Sequence, residues 1–265
     1  MCEVIVITSG KGGVGKTTTT ANIGHGLAKL GKNVLLIDTD IGLRNLDVVM
    51  GLENRVVFNL VDLINGKCKK NAAIIKDKKQ PNLHLLPAAQ NVEKDIIDAE
   101  QIKSLIEMLK PDYDYILLDC PAGIESGFKN AISAADRAIV VTNPEISAIR
   151  DADRIIGLLE ANEIGDIKLL INRLRPEMVK AGNMLSKDDV LEILAIELIG
   201  IIPDDEDVVI STNRGEPCVL NDSIAGKGYI NTCRRITGET VEFLDLNKKG
   251  FFERLLSKFT KNDVA

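Results

Sequence analysis

The residues whose types and spacing point most directly to a chemical task form a glycine-rich loop near the start of the chain. Residues 10–18 read GKGGVGKTT and match the phosphate-binding pattern G-x-x-x-x-G-K-[ST] in full. Glycine lets backbone N–H groups approach phosphate oxygens closely, and Lys16 can reach the β- and γ-phosphates of a nucleotide. We predict a nucleoside triphosphate site in which the Thr17 hydroxyl binds Mg²⁺ and Thr18 meets the α-phosphate. The predicted nucleotide-binding residues of this loop are Gly10, Lys11, Gly12, Gly13, Val14, Gly15, Lys16, Thr17 and Thr18.

The flanking residues predict that the loop joins a strand to a helix. Residues 4–7 (VIVI) form an apolar run typical of a buried strand, and residues 21–30 carry apolar side chains at helical spacing. A helix that begins near Lys16 directs its N-terminal dipole at a bound anion. The alternative, a glycine-rich turn with an exposed lysine, does not account for this context, so we favour the phosphate site.

Two further apolar runs end in aspartates. Residues 34–37 (VLLI) precede Asp38 and Asp40, and residues 115–118 (YILL) precede Asp119. Ligands of open α/β sheets bind at the carboxyl ends of the strands, so we expect these carboxylates beside the loop. Asp38 and Asp119 are predicted to serve the outer shell of Mg²⁺, and Asp40 to orient or polarise the attacking water. An ordinary acidic pair or a helix cap is the alternative for Asp38 and Asp40.

Length and composition favour one α/β domain, residues 1–246, followed by a short tail. The chain has 265 residues, of which 45% are hydrophobic, 27% charged and 3% aromatic, with no Trp. Such an aliphatic core suits a doubly wound, mostly parallel sheet with helices on both faces. Further strands are predicted at 83–87, 138–142, 167–171 and 197–202, and helices at 58–64, 99–109, 147–161, 204–212 and 223–240.

Charge and cysteine usage argue against several classes of protein. A net charge of −6 is unfavourable for a protein whose whole surface binds nucleic acid. The lysine-rich residues 67–79 are interpreted as a solvated loop, with a partner or nucleic-acid surface as the alternative. The five cysteines contain no C-x-x-C pair, which disfavours disulfides and a zinc or iron–sulfur site. Because no signal-peptide pattern or long apolar run is seen, we expect a cytosolic protein.

Residues 247–265 form a tail of different composition, with five basic and two acidic side chains. On a helix, its large apolar residues share an arc of about 140° and its polar residues fill the opposite side. This is typical of an interfacial amphipathic helix on an anionic membrane, and the alternative is a last helix packed on the domain. Two such helices on one dimer would reinforce each other's membrane binding, because attachment of the first raises the effective concentration of the second at the membrane. The predicted membrane residues are Lys248, Lys249, Phe251, Phe252, Leu255, Leu256, Lys258 and Phe259.

Five stretches together resemble the ParA/MinD family of deviant Walker A ATPases, and its MinD-type members in particular. They are KGGVGKTT (11–18), DTDIGLRNLD (38–47), LLDCPAG (117–123), INR (171–173) and FFERLLSKF (251–259). The resemblance implies a P-loop NTPase of the SIMIBI type, an ATP-dependent homodimer, and slow ATP hydrolysis that a MinE-like activator stimulates. It also implies recruitment of a MinC-like division inhibitor and placement of the division septum. The implied location is the cytoplasm and the inner face of the cell membrane, or its plastid equivalent.

The resemblance also implies roles for single residues. Lys11 is expected to reach across the dimer to the other nucleotide, and Asp40 and Asn45 to act in hydrolysis. Asn172 is expected to read adenine, since its side chain offers both a donor and an acceptor, and a helix or turn cap is the alternative. The residues expected to border the base are Arg173, Pro203 and Asp204, and those of a partner surface are Arg150, Asp151 and Asp153.

Three other functions stay open from the sequence. A ParA-like DNA or cargo partitioning ATPase would use a basic dimer surface in place of a lipid-binding helix. A flagellar-placement relative could share both the ATPase core and a terminal helix. An iron–sulfur scaffold or nitrogenase-like reductase would need bridging cysteines, which the missing C-x-x-C disfavours.

Overall fold

The computed structural model of the protein describes residues 2–90, 96–124 and 126–246. The predicted tail, residues 247–265, lies outside the described residues, and so do the eight membrane residues assigned to it. The predicted fold class is confirmed for the described part of the chain, which forms a mostly parallel sheet with helices on both faces.

Within the described residues the sheet has eight strands, in the spatial order β3-β4-β2-β5-β1-β6-β7-β8. All neighbouring strands run parallel except β3, which pairs antiparallel with β4 at one edge. Apolar runs such as residues 4–7 are fully buried because helices cover both faces, as is usual for parallel sheets. The strands are β1 (Glu3–Thr8), β2 (Val34–Asp38), β3 (Ile75–Lys76), β4 (Leu83–Leu86), β5 (Tyr115–Asp119), β6 (Arg137–Thr142), β7 (Asp166–Leu174) and β8 (Glu197–Pro203).

The helices divide the hydrophobic core into two layers. Helices α1, α2 and α11 bury their apolar side chains against one face of the sheet, and α3 to α7 with α9 cover the other. No described helix is long and apolar enough to cross a bilayer. The helices are α1 (Lys16–Lys29), α2 (Leu46–Val49), α3 (Leu60–Ile64), α4 (Lys70–Ala73), α5 (Ala99–Leu109), α6 (Ser126–Ile132), α7 (Ile146–Ala161), α8 (Pro176–Lys180), α9 (Lys187–Leu194), α10 (Glu206–Asn213) and α11 (Ile224–Ile236).

Two predictions about secondary structure were wrong. The last predicted helix was to run to residue 240, but α11 ends at Ile236 because Gly238 has φ +90° and reverses the chain. The lysine-rich residues 67–79 are not wholly a loop, since α4 and β3 lie inside them and Lys70 pairs with Asp112 at 2.5 Å.

Besides α4, three other described helices were not predicted: α6, α8 and α9. Helices α6 and α8 have seven and five residues, too few for a helical period to show in the sequence. Helix α9 did carry a signal, because Ser186 and Asp189 form a capping box at its start. The phosphate loop and the strand-end aspartates lie on other elements than these helices.

Candidate functional site

The glycine-rich loop lies between β1 and α1, at the carboxyl edge of the sheet. Gly13 (φ +79°) and Gly15 (φ +98°) have left-handed backbone, which glycine adopts without steric cost. Gly15 is also the N-cap of α1, so the helix begins at Lys16 as expected. A side-chain carbon on Gly13 would meet nothing within 4 Å, which leaves open space over this part of the loop. The loop therefore offers backbone N–H groups and a helix N-terminus to a phosphate.

Two of the loop glycines are required by packing against the protein itself. A Cβ on Gly10 would lie 2.2 Å from the carbonyl oxygen of Asp151 in α7. A Cβ on Gly15 would lie 2.4 Å from Nδ2 of Asn172, which donates to the Val14 carbonyl at 2.7 Å. The sequence pattern predicted that every glycine of the loop allows close approach to phosphate. In the structure, the absence of a side chain at Gly10 and Gly15 also allows α7 and β7 to pack closely against the loop.

The two lysines of the loop have different surroundings. Lys16 is the first residue of α1 and is 8% exposed, so its ammonium group is held inside the site. Lys11 is exposed, and its Nζ lies 3.3 Å from Oγ of Ser147 near the start of α7. The structure thus separates an inner lysine, buried at the start of α1, from an outer lysine on the surface of the loop.

The strand-end carboxylates meet beneath the loop. Strands β2 and β5 pair so that Asp38 stands directly opposite Asp119, and both side chains are buried. Thr20 donates to Oδ1 of Asp119 at 3.0 Å. Burial raises the pKa of both carboxyl groups, and the charge of Asp119 raises the pKa of Asp38 further. Hydrogen bonding from Thr17 and the charge of Lys16 offset part of the increase in the pKa of Asp119.

This donor set fits Mg²⁺ bound together with a nucleotide. Two buried carboxylates with raised pKa values are stabilised by a divalent cation, which prefers hard oxygen ligands. Thr17 adds a hydroxyl at the start of α1. Among the described residues no group of three or more His, Cys, Asp or Glu side chains could hold a metal by itself. A nucleotide-bound Mg²⁺ needs no such group, because phosphates and water supply most of its ligands.

Asp38 also organises the segment that follows β2. Its Oδ1 accepts the backbone N–H of Asp40 at 2.9 Å, and its Oδ2 accepts those of Asn45 and Leu46 at 3.1 and 3.2 Å. Thr39 ties the same segment to β5 by donating from Oγ1 to the carbonyl of Asp119 at 2.7 Å. The predicted hydrolytic residues Asp40 and Asn45 therefore lie on a turn whose shape depends on Asp38. Sequence reasoning assigned Asp38 to the metal and missed this second role.

The predicted base-binding residues gather where β7 and β8 end. Leu174 pairs with Pro203, and the N–H of Asp204 donates to the Leu174 carbonyl at 3.0 Å. Asn172 is buried within β7, and its side chain donates to the Val14 carbonyl of the loop, so base recognition and the alternative role as a turn cap both stay predictions. Arg173 has φ +54° and an exposed side chain. The four residues are neighbours through strand pairing, and their contact with adenine stays a prediction.

The predicted partner surface lies on α7, and its three residues do not behave alike. Arg150 and Asp153 are exposed, whereas Asp151 is half-buried with its backbone against Gly10. Beside the start of this helix lies a cavity of about 850 Å³, lined by Ser147, Arg173 and residues of the segment 175–189. Sequence reasoning missed the cavity, because α8 and α9 form its far wall and neither was predicted.

Residues with chemistry outside this site have structural explanations. Cys120 is buried, and burial raises the pKa of its thiol to about 12, which fits the predicted packing role. His25 is buried with Nε2 3.3 Å from Oδ2 of Asp77, in keeping with the structural role expected for it. His84 is half-buried and packs edge-on against Tyr113, with ring centroids 5.6 Å apart.

Known proteins share both the sequence and the fold. A family model described as an AAA domain matches residues 2–169. The septum site-determining protein MinD of Synechocystis sp. is 58% identical over 247 residues, which cover 92% of this chain and 93% of that protein. Among solved structures, the MinC:MinD cell division protein complex of Aquifex aeolicus contains a chain that is 54% identical with a TM-score of 0.86, covering 91% of this chain and 98% of that one.

A more distant structure retains the same architecture. The septum site-determining protein MinD of Pyrococcus horikoshii, complexed with Mg-ADP, is 31% identical and matches with a TM-score of 0.80 over 89% of this chain and 96% of that one. High identity over nearly the whole length of the Synechocystis protein agrees with the phosphate loop and the paired carboxylates described above. The chain therefore belongs to the MinD family, within the larger group of ParA/MinD-type P-loop ATPases.

Proposed function

We propose that this protein is an ATPase that dimerises with ATP, binds the membrane in that state, recruits a division inhibitor and helps to place the division septum. The observation that carries the ATPase proposal is the buried Asp38–Asp119 pair directly beneath the glycine-rich loop. Membership of the MinD family supports the role in division. The proposal extends to slow turnover that a MinE-like activator stimulates.

In the proposed reaction, water attacks the γ-phosphate of ATP, and the protein contributes position and charge. Lys16 would hold the β- and γ-phosphates from inside the loop, and Lys11 of the partner subunit would approach from across the dimer. Asp40 would orient the attacking water, with Asn45 close by on the same turn. Bound Mg²⁺ would supply positive charge to the phosphates, with Thr17 as its direct ligand and Asp38 and Asp119 holding its water shell.

Base recognition is proposed for the ends of β7 and β8. The Asn172 side chain donates one amide hydrogen to Val14, which leaves a second N–H and the carbonyl oxygen to match adenine. Arg173, Pro203 and Asp204 would border the base. Asn172 would thereby join the base to the phosphate loop through one side chain.

We place contacts with a MinC-like inhibitor at Arg150, Asp151 and Asp153. Arg150 and Asp153 are exposed on α7, and Asp151 lies against the phosphate loop. The Aquifex aeolicus complex pairs MinC with MinD, which supports a MinC-like partner for a chain 54% identical to that MinD. The proposed location is the cytoplasm and the inner membrane face, or its plastid equivalent, where residues 247–265 would bind anionic lipid.

Sedimentation with vesicles tests this proposal. The full chain and a version ending at Leu246 are each mixed with phosphatidylglycerol–phosphatidylcholine vesicles in ATP and in ADP. Recovery with the vesicles only for the full chain in ATP is expected, because two tails on one dimer bind together. If the full chain ignores the vesicles in both nucleotides, the membrane role is wrong. ATP-dependent DNA binding that falls steeply with salt would then favour a ParA-like function.

A further inference from the structure

Residues 237–246, which we call the strap, connect α11 to the predicted tail and are attached to the domain along their length. The chain turns away from α11 at Gly238, and Arg234 holds Glu239 through an ion pair at 2.8 Å. At the other end, Leu246 is half-buried against the hydrophobic core. The strap is therefore part of the folded domain, although it has no helix or strand of its own.

One side chain, Arg235 in the last turn of α11, makes most of the contacts that hold the middle of the strap. Its Nε donates to the Val241 carbonyl at 2.9 Å, and its Nη2 donates to the Glu242 carbonyl at 2.9 Å. The guanidinium also stacks on Phe243, with Cζ 3.9 Å from the ring centroid. Hydrogen bonds from an ionised donor are stronger than neutral ones, and the planar guanidinium fixes their directions.

The same guanidinium also binds the sheet. Its Nη1 donates to the carbonyl of Ile199 in β8 at 3.1 Å, so that Arg235 joins the strap, α11 and β8 at one point. Strand β8 and helix α11 also contact the loop proposed to border the base: β8 leads into it, and α11 bonds to it. Strand β8 ends at Pro203, and the N–H of Ala225 in α11 donates to Oδ2 of Asp205 at 3.0 Å. The strap is thus attached to β8, which leads into the loop proposed to border the base, and to α11, which is hydrogen-bonded to that loop.

We propose that Arg235 is a positioning residue, which fixes the point where residues 247–265 leave the domain and thereby strengthens nucleotide-dependent membrane binding. This inference rests on the proposed membrane function. The sequence places only four residues, 247–250, between the strap and the first phenylalanine of the amphipathic segment. If residues 247–250 act as a short tether that starts from the fixed strap, the two tails of a dimer stay at defined positions.

Tether length gives the size of the expected effect. If the strap is released, the tether grows from the four residues 247–250 to the fourteen residues 237–250. The effective concentration of one tail, once the other is bound, falls roughly as the −3/2 power of tether length. Release of the strap should therefore weaken vesicle binding of the ATP dimer roughly sixfold. Binding of a monomer through one tail should not change, because it gains nothing from the second tail.

The test uses Arg235→Lys in the full chain, because lysine keeps the positive charge but has one nitrogen in place of the three that reach the carbonyls of Ile199, Val241 and Glu242, and no planar group to stack on Phe243. Sedimentation with phosphatidylglycerol–phosphatidylcholine vesicles in ATP should show roughly sixfold weaker binding than the wild-type chain. Binding in ADP, ATP turnover without vesicles and the melting temperature should stay close to wild type. Faster amide hydrogen exchange in residues 237–246 verifies release of the strap. Arg234→Lys is the matched control, and it should bind vesicles within twofold of wild type, since its ion pair is exposed.

A second variant keeps Arg235 and lengthens the tether directly. Ten Gly/Ser residues inserted between Leu246 and Asn247 should produce the same roughly sixfold loss with the strap still attached. If the wild-type chain binds vesicles in ATP and the insertion binds equally well, the positioning role is overturned while the membrane function stands. If the wild-type chain does not bind vesicles in ATP, the membrane function itself fails, and the positioning role fails with it.

Discussion

Two buried acidic sites in this molecule differ in how far the rest of the protein compensates their carboxyl groups. At the carboxyl ends of β2 and β5, Asp38 and Asp119 stand opposite each other; burial raises the pKa of both, and the charge of Asp119 raises the pKa of Asp38 further. At the second site, Asp77 is buried against His25, and its Oδ1 accepts the backbone N–H groups of Lys79 and Gln80 at 2.8 Å each. Burial alone would raise the pKa of Asp77, but these partners lower it on balance.

The contrast shows which buried charges have a task beyond stability. The carboxylate of Asp77 finds its partners inside the protein: backbone N–H groups on one oxygen and the His25 ring beside the other, with the second ring nitrogen 2.9 Å from the Ala21 carbonyl. The Asp38–Asp119 pair brings two buried carboxyl groups together, and their raised pKa values oppose ionisation of both groups at once. Hydrogen bonding from Thr17 and the charge of Lys16 offset only part of the increase in the pKa of Asp119. A site that brings two such groups together is suited to a cation that arrives with a ligand.

The largest effect is expected from the replacement of Lys16, whose charge lowers the pKa of Asp119. Lys16→Ala should weaken Mg-ATP binding roughly a thousandfold, about 4 kcal/mol, because the phosphates lose their inner ammonium group. Titration with a fluorescent ATP analogue in Mg²⁺ measures the affinity. Lys11→Ala is the matched control, and the affinity of its monomer should stay within threefold of wild type because Lys11 is exposed. A Lys16→Ala protein that binds ATP normally would contradict the site.

The next largest effect is expected on stability, from the buried pair of Asp77 and His25. Asp77→Ala should lower the free energy of unfolding by about 3 kcal/mol, because it leaves His25 buried beside no carboxylate. Urea unfolding followed by circular dichroism measures the change. Lys79→Ala, which removes only the exposed ion pair with Glu216, should cost less than about 1 kcal/mol. Equal losses in the two variants would show that burial of the pair does not matter.

Turnover should depend on the turn that Asp38 organises. Asp40→Ala should reduce ATP hydrolysis at least about a hundredfold while ATP binding and dimerisation persist, because only the orientation of the water is lost. Phosphate release and ATP-dependent light scattering measure the two properties separately. Normal turnover in this variant would remove Asp40 from the mechanism, and loss of ATP binding would assign it a structural role.

The same conservative change should have opposite effects at the two acidic sites. Asp119→Asn removes one of two neighbouring buried carboxyl groups whose ionisation burial opposes, so the nucleotide-free protein should gain about 1 kcal/mol of stability, or about 2–4 °C in melting temperature. Asp77→Asn should instead lower the melting temperature. Asp119→Asn should also weaken the Mg²⁺ dependence of ATP binding. Destabilisation by Asp119→Asn would indicate that the pair is compensated as fully as Asp77.

The smallest expected effect is the pH dependence that Asp77 gives to the free energy of unfolding. The folded-state pKa of Asp77 is lowered, so its contribution to stability is present above the ordinary carboxyl pKa of about 4 and is lost as the pH falls through the lower folded value. Urea unfolding at several pH values between 5 and 2 should therefore show a shallower decline for Asp77→Asn than for wild type. Identical slopes would mean that Asp77 ionises alike in both states.

Much of the fold and part of the site could be predicted from local patterns. The strands that end in Asp38 and Asp119 were predicted because buried parallel strands are continuous apolar runs, and their carboxyl ends meet at one edge. Short helices such as α8 were missed because five residues do not establish a period. The double role of Asp38 was missed as well, since its hydrogen bonds depend on the shape of a turn rather than on residue type.

The sequence by itself determined the chemistry of the phosphate loop and the residue types at the strand ends, because glycine conformation, helix initiation and side-chain alternation are local properties. Only the tertiary structure decided which distant residues complete the site. Asn172 bonds Val14 across 158 positions, and Arg235 bonds Ile199 across 36. Such contacts leave no local pattern in the chain. They arise where the sheet and the helices that cover it bring separate segments into hydrogen-bonding distance.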